Sequence, residues 1–399
     1  MKYLVLLGDG MADEPLEQLG GKTPLDHADT PFMDRLARNG RIGLAATVPE
    51  GFPPGSDVAN LSVFGYDPRQ CYSGRSPLEA ASMGVALGPD DVAFRLNLVW
   101  LEAHCAKLYM GDFSAGHIST AEAGQLLATL QQELGDDDFS FYPGVSYRHL
   151  LVWKNGKERM TCTPPHDIST LSIENYLPTG DGAAELLDLT NSAQMLLNTH
   201  PVNHARLARG EVPANSIWLW GQGRRPRMKT YRELYDLSGA VISAVDLIKG
   251  IGLCAGLDII EVPGATGYLD TNYRGKAEYA LQALKERDFV YLHVEAPDEA
   301  AHGGLLDEKI KAIEAFDREV VGTVVENLAQ LGDCRLLVLP DHPTPVAKRT
   351  HTCDPVPYIL YDSRGNVPSG AAGYSEAEAL KADSLIAGCR LLPTLLGRD

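Results

Sequence analysis

The chain has 399 residues, more than one ordinary hydrophobic core holds and enough for two domains. Hydrophobic residues at 44% and charged residues at 22% mark a globular chain, and no apolar run approaches the roughly 20 residues of a membrane span. A formal net charge of −18 excludes the basic footprint of a nucleic-acid binder, so an acidic chain that handles phosphates must do so locally, with metals and a few arginines.

The chain opens on an apolar run, Lys2–Gly8, which Asp9 and Gly10 end too early for a signal sequence; it reads as the buried first strand of a cytoplasmic protein. A helical stretch follows at Pro31–Asn39. From about residue 91 to 235 the pattern changes. FRLNLVW, HLLVWKN and SIWLWGQG stand as isolated strands, separated by helices and by Pro/Gly-rich turns such as CTPPHD and LPTGDG. Further on, apolar runs at 257–262, Phe289–Val294, 335–340 and 357–361 alternate with helical stretches at 276–287 and 307–331. Continuous apolar strands between amphipathic helices predict a largely parallel sheet with helices on both faces. The expected architecture is an α/β domain made from residues 1–90 and 236–399, with an α+β domain, residues 91–235, inserted into it. Two domains in linear succession are the alternative. The seven cysteines are scattered without a C-x-x-C pair, which disfavours a disulfide framework and a thiolate zinc site alike.

Five fragments carry chemistry, and four fall at or just after the end of an apolar strand, where open α/β sheets bind ligands. They are LVLLGDG with Asp9, PPGSDVANLS with Ser56, HVEAPDEAAH with Asp298 and His302, LVLPDHPTP with Asp341 and His342, and KRTHTCDPVPY with His351. Each has a plain structural explanation. Asp9-Gly10 is a common turn pair, and Asp298 and His302, four apart, could be a solvated helix face. Asp341 and His342 point to opposite sides of a regular strand unless Pro340 and Pro343 turn the backbone. Ser56 could cap a helix over 58–64. Taken together, three aspartates, three histidines and a serine form a set of hard oxygen and imidazole donors without thiolate. That mixture suits Mn²⁺ or Zn²⁺, with Mg²⁺ less suited to so many imidazoles. Two such ions can activate a nucleophile and neutralise a transferring phosphoryl group.

The order D-G, G-S-D-V-A, D-x-x-x-H, D-H, H resembles the alkaline phosphatase superfamily. Within it, VLLGDGMADEPLEQLGGKTPLDHADTPFMDRLA and GSDVANLSVFGYDPRQCYSGRSPLEAASMG are similar to the archaeal-type, cofactor-independent phosphoglycerate mutases. The likeness continues through NSIWLWGQG and VPGATGYLDTNYRGKA. It implies an alkaline phosphatase-like core and two divalent ions, one bound by Asp298, His302 and His351, the other by Asp9, Asp341, His342 and the Ser56 hydroxyl. Ser56 would take the phosphoryl group of 3-phosphoglycerate and return it to the other hydroxyl of glycerate. The resemblance also points to His117, Arg148 and Asp167 as groups holding a small anionic phosphorylated substrate, in an inserted domain that closes as a lid. Arg274 and Lys276 could reach the phosphate, or be solvated charges at a helix start. A homoserine kinase-like phosphotransferase and a phosphomonoesterase on the same fold are the competing functions.

Other residues are set aside. His200 and His204 have H-x-x-x-H spacing, but Pro201 breaks the turn, which favours a helix-end role. His293, inside YLHVE, reads as a hydrogen-bonded residue of the core or behind the site. GQGRRPRMK lacks the strand–loop–helix with G-K-[ST] of a phosphate-binding loop.

Overall fold

The structure, a computed structural model, describes residues 1–365 and 368–398. Its strands, in chain order, begin with β1 (Lys2–Gly8) and β2 (Arg41–Ala46). The middle of the chain supplies β3 (Val92–His104), β4 (Lys107–Asp112), β5 (Phe139–Val145), β6 (Arg148–Trp153), β7 (Met160–Thr161), β8 (Thr179–Gly180) and β9 (Ser216–Arg224). The last part supplies β10 (Gly239–Ile242), β11 (Asp258–Ile259), β12 (Phe289–Val294), β13 (Cys334–Leu339), β14 (Val356–Asp362) and β15 (Leu385–Ala387). Two compact units result, Met1–Tyr72 with Arg227–Asp399, and Ser73–Pro226. These junctions differ from the expected ones near 91 and 235. Helix Ser76–Ser82 packs on β3 and β9, where the Ser76 hydroxyl donates to the Gly221 carbonyl at 2.6 Å, so it belongs with the middle of the chain.

The first unit is built on an eight-stranded mixed sheet in the order β11-β10-β12-β1-β13-β14-β2-β15. Among the described strands of this sheet only β14 runs against the rest: it is antiparallel to both β13 and β2, while the other pairings are parallel. The central strands are buried on both faces. Leu4, Leu6, Val290, Leu292, Leu336 and Val338 join one core, together with helices Pro31–Asn39, Tyr273–Ala283 and Leu306–Ala315. On the other face Val5, Leu7, Leu337 and Leu339 are equally inaccessible. Burial on both faces is why these strands read as continuous apolar runs rather than alternating ones. The helical stretch expected at 307–331 is not one helix. It passes from α-helix at Leu306–Ala315 into a π-helical segment, Phe316–Val321, and back to α-helix at Gly322–Glu326. The π segment carries buried Asp317, whose carboxylate accepts from the Phe32 and Met33 backbone N–H groups at 3.2 and 2.7 Å and so satisfies the start of helix Pro31–Asn39.

The second unit is an antiparallel sheet around the long strand β3. The first half of β3 lies between β6 and β9, and its end pairs with β4; β5 adds to β6. Helices Thr120–Leu134 and Ala183–Asn198 cover one face with Leu126, Leu127, Leu130, Leu186 and Leu197. Among the described residues no helix is long and apolar enough to cross a membrane.

Candidate metal and phosphoryl-transfer site

Register decides where the chemistry collects. Gly8 of β1 sits opposite Val294 of β12, and Leu7 opposite Leu339 of β13, so these three parallel strands end together. The residues that follow, Asp9, Glu295 and Asp341, therefore emerge at one edge of the sheet. The Asp9–Gly10 turn is real as well, with Gly10 at φ +62. A Cβ there would stand 2.6 Å from Asp298 Oδ1 and 2.7 Å from Thr344 Oγ1, so only glycine lets the turn and the site share this space. After β13 the backbone turns as its prolines suggest: Asp341 Oδ1 accepts from the His342 and Gly10 N–H groups at 2.9 and 3.2 Å, and both side chains are fully buried.

Asp9, Asp341 and His342 form one donor group. His342 Nε2 lies 3.5 Å from Asp9 Oδ1 and 3.4 Å from Asp341 Oδ2. Ser56 opens helix Ser56–Val63, whose N-cap is the extended Gly55, so the serine hydroxyl does not cap the helix. It lies instead 3.1 Å from His342 Nε2. Asp298 anchors a second group. Its Oδ2 is 3.2 Å from His302 Nε2 and its Oδ1 is 3.5 Å from His351 Nε2, and the two imidazole nitrogens are 2.9 Å apart. His302 Nδ1 donates to the Arg349 carbonyl at 3.0 Å, so Nε2 is the nitrogen facing the cluster and would be the ligand atom once that nitrogen gives up its proton. The buried Thr344 hydroxyl links the two groups: it donates to Asp298 Oδ1 at 2.5 Å and faces His342 Nδ1 at 3.2 Å.

The electrostatics fit divalent cations. Burial, and then the carboxylates of Asp341, Glu295 and Asp298, push Asp9 well above its ordinary value, and its Oδ1 is buried without a hydrogen-bond partner. Burial opposes ionisation of Asp298, yet hydrogen bonds from His302 and His351 pull it well below its ordinary value. Burial likewise opposes a charge on His302, but the Asp298 hydrogen bond raises it to about 9. Buried carboxylates crowded against one another beside imidazoles make a site that a doubly charged ion would relieve.

A third donor group, Asp9, His293 and Glu295, adjoins these. His293 Nε2 is 2.8 Å from Asp9 Oδ2 and 3.6 Å from Glu295 Oε2, and its Nδ1 is 3.1 Å from the Ser243 hydroxyl. Burial drives His293 down to about 3, so the ring is neutral. Glu295 follows β12 directly and takes the N-cap position of the helix Ala296–His302, and no sequence motif marks it as a donor.

The expected substrate-binding residues divide between the two units. Lys276 is fully buried, and its ammonium donates to the His293 carbonyl at 3.1 Å, so it supports the site's backbone rather than presenting a free charge. Arg274 pairs with Glu278 at 3.1 Å on a surface helix, with its side chain 70% exposed. His117, Arg148 and Asp167 all belong to the second unit. His117 meets the Tyr147 ring edge-on at 5.9 Å between centroids, and the Arg148 guanidinium lies over the same ring at 5.6 Å. Asp167 is exposed, 3.7 Å from His166, whose ring meets Phe113, which in turn packs on Tyr147. His200 caps the helix Pro201–Ala208, accepting from the Val202 N–H at 3.2 Å, as a helix-end residue should.

Comparison with known proteins bears on the family. Residues 37–203 match the sequence model of the 2,3-bisphosphoglycerate-independent phosphoglycerate mutase family. The chain is 61% identical over 399 residues, all of both chains, to the "Probable 2,3-bisphosphoglycerate-independent phosphoglycerate mutase" of Geobacter sulfurreducens. It is 56% identical over 388 residues, 96% of each chain, to the enzyme so named in Methanosarcina acetivorans. A solved Pyrococcus horikoshii structure superposes with a TM-score of 0.82 at 30% identity, covering 100% of this chain and 97% of that one. The cofactor-independent phosphoglycerate mutase of Thermoplasma acidophilum gives 0.65 at 25% identity, with 100% and 99% covered. The chain belongs to the 2,3-bisphosphoglycerate-independent phosphoglycerate mutase family.

Proposed function

We propose that the protein interconverts 3-phosphoglycerate and 2-phosphoglycerate by metal-dependent transfer through a phosphoserine at Ser56. The observation that carries this reading is the Ser56 hydroxyl, 3.1 Å from His342 Nε2 beside a buried cluster of carboxylates and imidazoles, in a chain of the mutase family. Asp298, His302 and His351 would hold one divalent ion, and Asp9, Asp341, His342 and the Ser56 hydroxyl the other. Mn²⁺ or Zn²⁺ suits three imidazoles better than Mg²⁺ does. Bound there, the ions supply a lowered hydroxyl pKa and neutralise phosphoryl oxygens. The chain's part is to form the bond from Ser56 Oγ to phosphorus as the bond to the 3-oxygen of glycerate breaks, and then to release the group to the 2-oxygen. One hydroxyl replaces another in each half, so no proton is consumed overall. Two half-reactions with a covalent intermediate replace one transfer that glycerate's geometry forbids in a single step. His117, Arg148 and Asp167 would bind the carboxylate and the phosphate of the substrate, and keeping water from the phosphoserine would favour transfer over hydrolysis.

The deciding assay gives the manganese-loaded protein 3-phosphoglycerate without bisphosphoglycerate and, separately, homoserine with ATP. Formation of 2-phosphoglycerate in the first and no phosphohomoserine in the second is the expected result. The reverse pattern, or release of inorganic phosphate alone, overturns it.

A further inference from the structure

Asn60 stands one helical turn after Ser56 and is fully buried. Asparagine is a poor choice for a helix interior, where its amide competes with the backbone for hydrogen bonds. Here both N–H groups and the oxygen of that amide are engaged. One N–H of Nδ2 donates to the Ser56 carbonyl at 2.9 Å, and the other donates to Asp341 Oδ2 at 2.7 Å. The amide oxygen accepts the hydroxyl of Tyr291 at 2.6 Å. Tyr291 is itself fully buried in β12, and its ring stacks on Phe64, just beyond the serine helix, with centroids 3.9 Å apart. The amide cannot turn over without facing its oxygen toward two acceptors and its nitrogen toward a donor.

Asp341 explains why the orientation matters. Its Oδ1 is taken by two backbone N–H groups, which leaves Oδ2 as the oxygen directed at His342 Nε2, 3.4 Å away. Asn60 occupies one lone pair of Oδ2 and leaves the other for that direction. The same side chain grips the first turn of the helix that carries Ser56. We infer that Asn60, oriented by Tyr291, is a positioning residue that sets the serine nucleophile and the Asp341 carboxylate in register. This rests on the reading of Ser56 as nucleophile given above. The link joins two segments 281 residues apart in sequence, and a satisfied buried network of this kind holds geometry more strictly than isolated bonds do.

The experiment compares wild type, Asn60→Ala, Tyr291→Phe and the double variant, all loaded with manganese. Steady-state turnover of 3-phosphoglycerate, manganese affinity by calorimetry and thermal unfolding are measured on each. Groups that orient metal ligands change affinity or activity by about 10- to 100-fold when removed. Asn60→Ala should lie at the upper end of that range in kcat, with KM changed less than about twofold, and should weaken the manganese ion at Asp341 by about tenfold. Tyr291→Phe keeps the stacked ring and should lower kcat by about tenfold. The double variant should match Asn60→Ala alone, because a hydroxyl that acts through the amide has nothing left to orient. Turnover of Asn60→Ala within about threefold of wild type overturns the inference, as does a Tyr291→Phe loss that persists undiminished without Asn60. Should Asn60→Ala not fold, unchanged kcat in Tyr291→Phe overturns it alone. Turnover retained by Ser56→Ala overturns the nucleophile assignment separately, since the manganese measurement on Asn60 does not pass through Ser56.

Discussion

Replacing Lys309 by methionine should be among the most destabilising single changes in the first unit. Lys309 and Asp13 are a buried pair, both side chains at 0% exposure, with Nζ 2.8 Å from Asp13 Oδ2. The same ammonium donates to the Thr344 carbonyl at 2.8 Å and the Ala12 carbonyl at 3.2 Å, while Asp13 Oδ2 also accepts from the Val346 N–H at 3.0 Å. Methionine fills the volume but strands a buried carboxylate and two carbonyls. Breaking a buried pair from one side costs about 3–5 kcal/mol. For a unit of this size that corresponds to a fall in the unfolding midpoint of roughly 6–20 °C. Differential scanning calorimetry of Lys309→Met, Asp13→Asn and the double variant tests the argument. The double variant should cost less than the two singles summed, because it leaves no unpaired charge. Lys309 also ties the loop after Asp9 to the loop after His342, so manganese binding should weaken along with stability. A Lys309→Met protein within about 1 kcal/mol of wild type, or strict additivity in the cycle, refutes the reasoning.

Other substitutions probe the site directly. Ser56→Ala should lose transfer to below a few per cent of wild type, as an activity assay reads, while the unfolding midpoint stays within error and at least one metal ion per chain is retained. Exhaustive chelation should inactivate the protein, and Mn²⁺ should restore turnover better than Ca²⁺, which disfavours imidazole; full activity with no metal by elemental analysis is the contrary result. Gly10→Ala forces a Cβ to 2.6 Å from Asp298 Oδ1 at a left-handed φ, so metal affinity should fall at least about tenfold in a manganese titration. Arg148→Ala should raise KM for phosphoglycerate with manganese content unchanged, and an unaltered KM removes Arg148 from the substrate-binding set.

The parts legible in sequence are those where one local pattern settles the matter. The strands at Lys2–Gly8 and Phe289–Val294 are largely apolar because both their faces are covered, and Asp9 and Asp341 stand just after strand ends. The strands at Arg41–Ala46, Gly239–Ile242 and Leu385–Ala387 were not legible. GAVI and LIA are too short to carry a period, and RIGLAA combines glycine and alanine with a charge; pairing to longer neighbours makes them strands. The apolar run at 257–262 likewise yields only the two-residue strand Asp258–Ile259. In the site, the metal-type donors could be picked out by residue chemistry. The supporting groups could not: Asn60, Thr344 and the buried Lys276 acquire their roles from partners far along the chain. Lys276 in particular reads as a solvated cation beside a glycine, and only the packing of helix Tyr273–Ala283 against β12 shows it buried.

The central strand of the sheet has a bearing on how the chain matures during synthesis. Strand β1 is made before every other strand of the sheet, yet its two neighbours, β12 and β13, lie at residues 289–294 and 334–339. Helix Pro31–Asn39 waits as long, since the carboxylate that satisfies its first turn is Asp317. The second unit, by contrast, has all its strands by residue 224 and can close its own core while the opening segment still lacks partners. Until the last third of the chain emerges from the ribosome, an apolar strand and an amphipathic helix stand open at the N-terminus, and that interval is when the nascent protein most needs shielding from association.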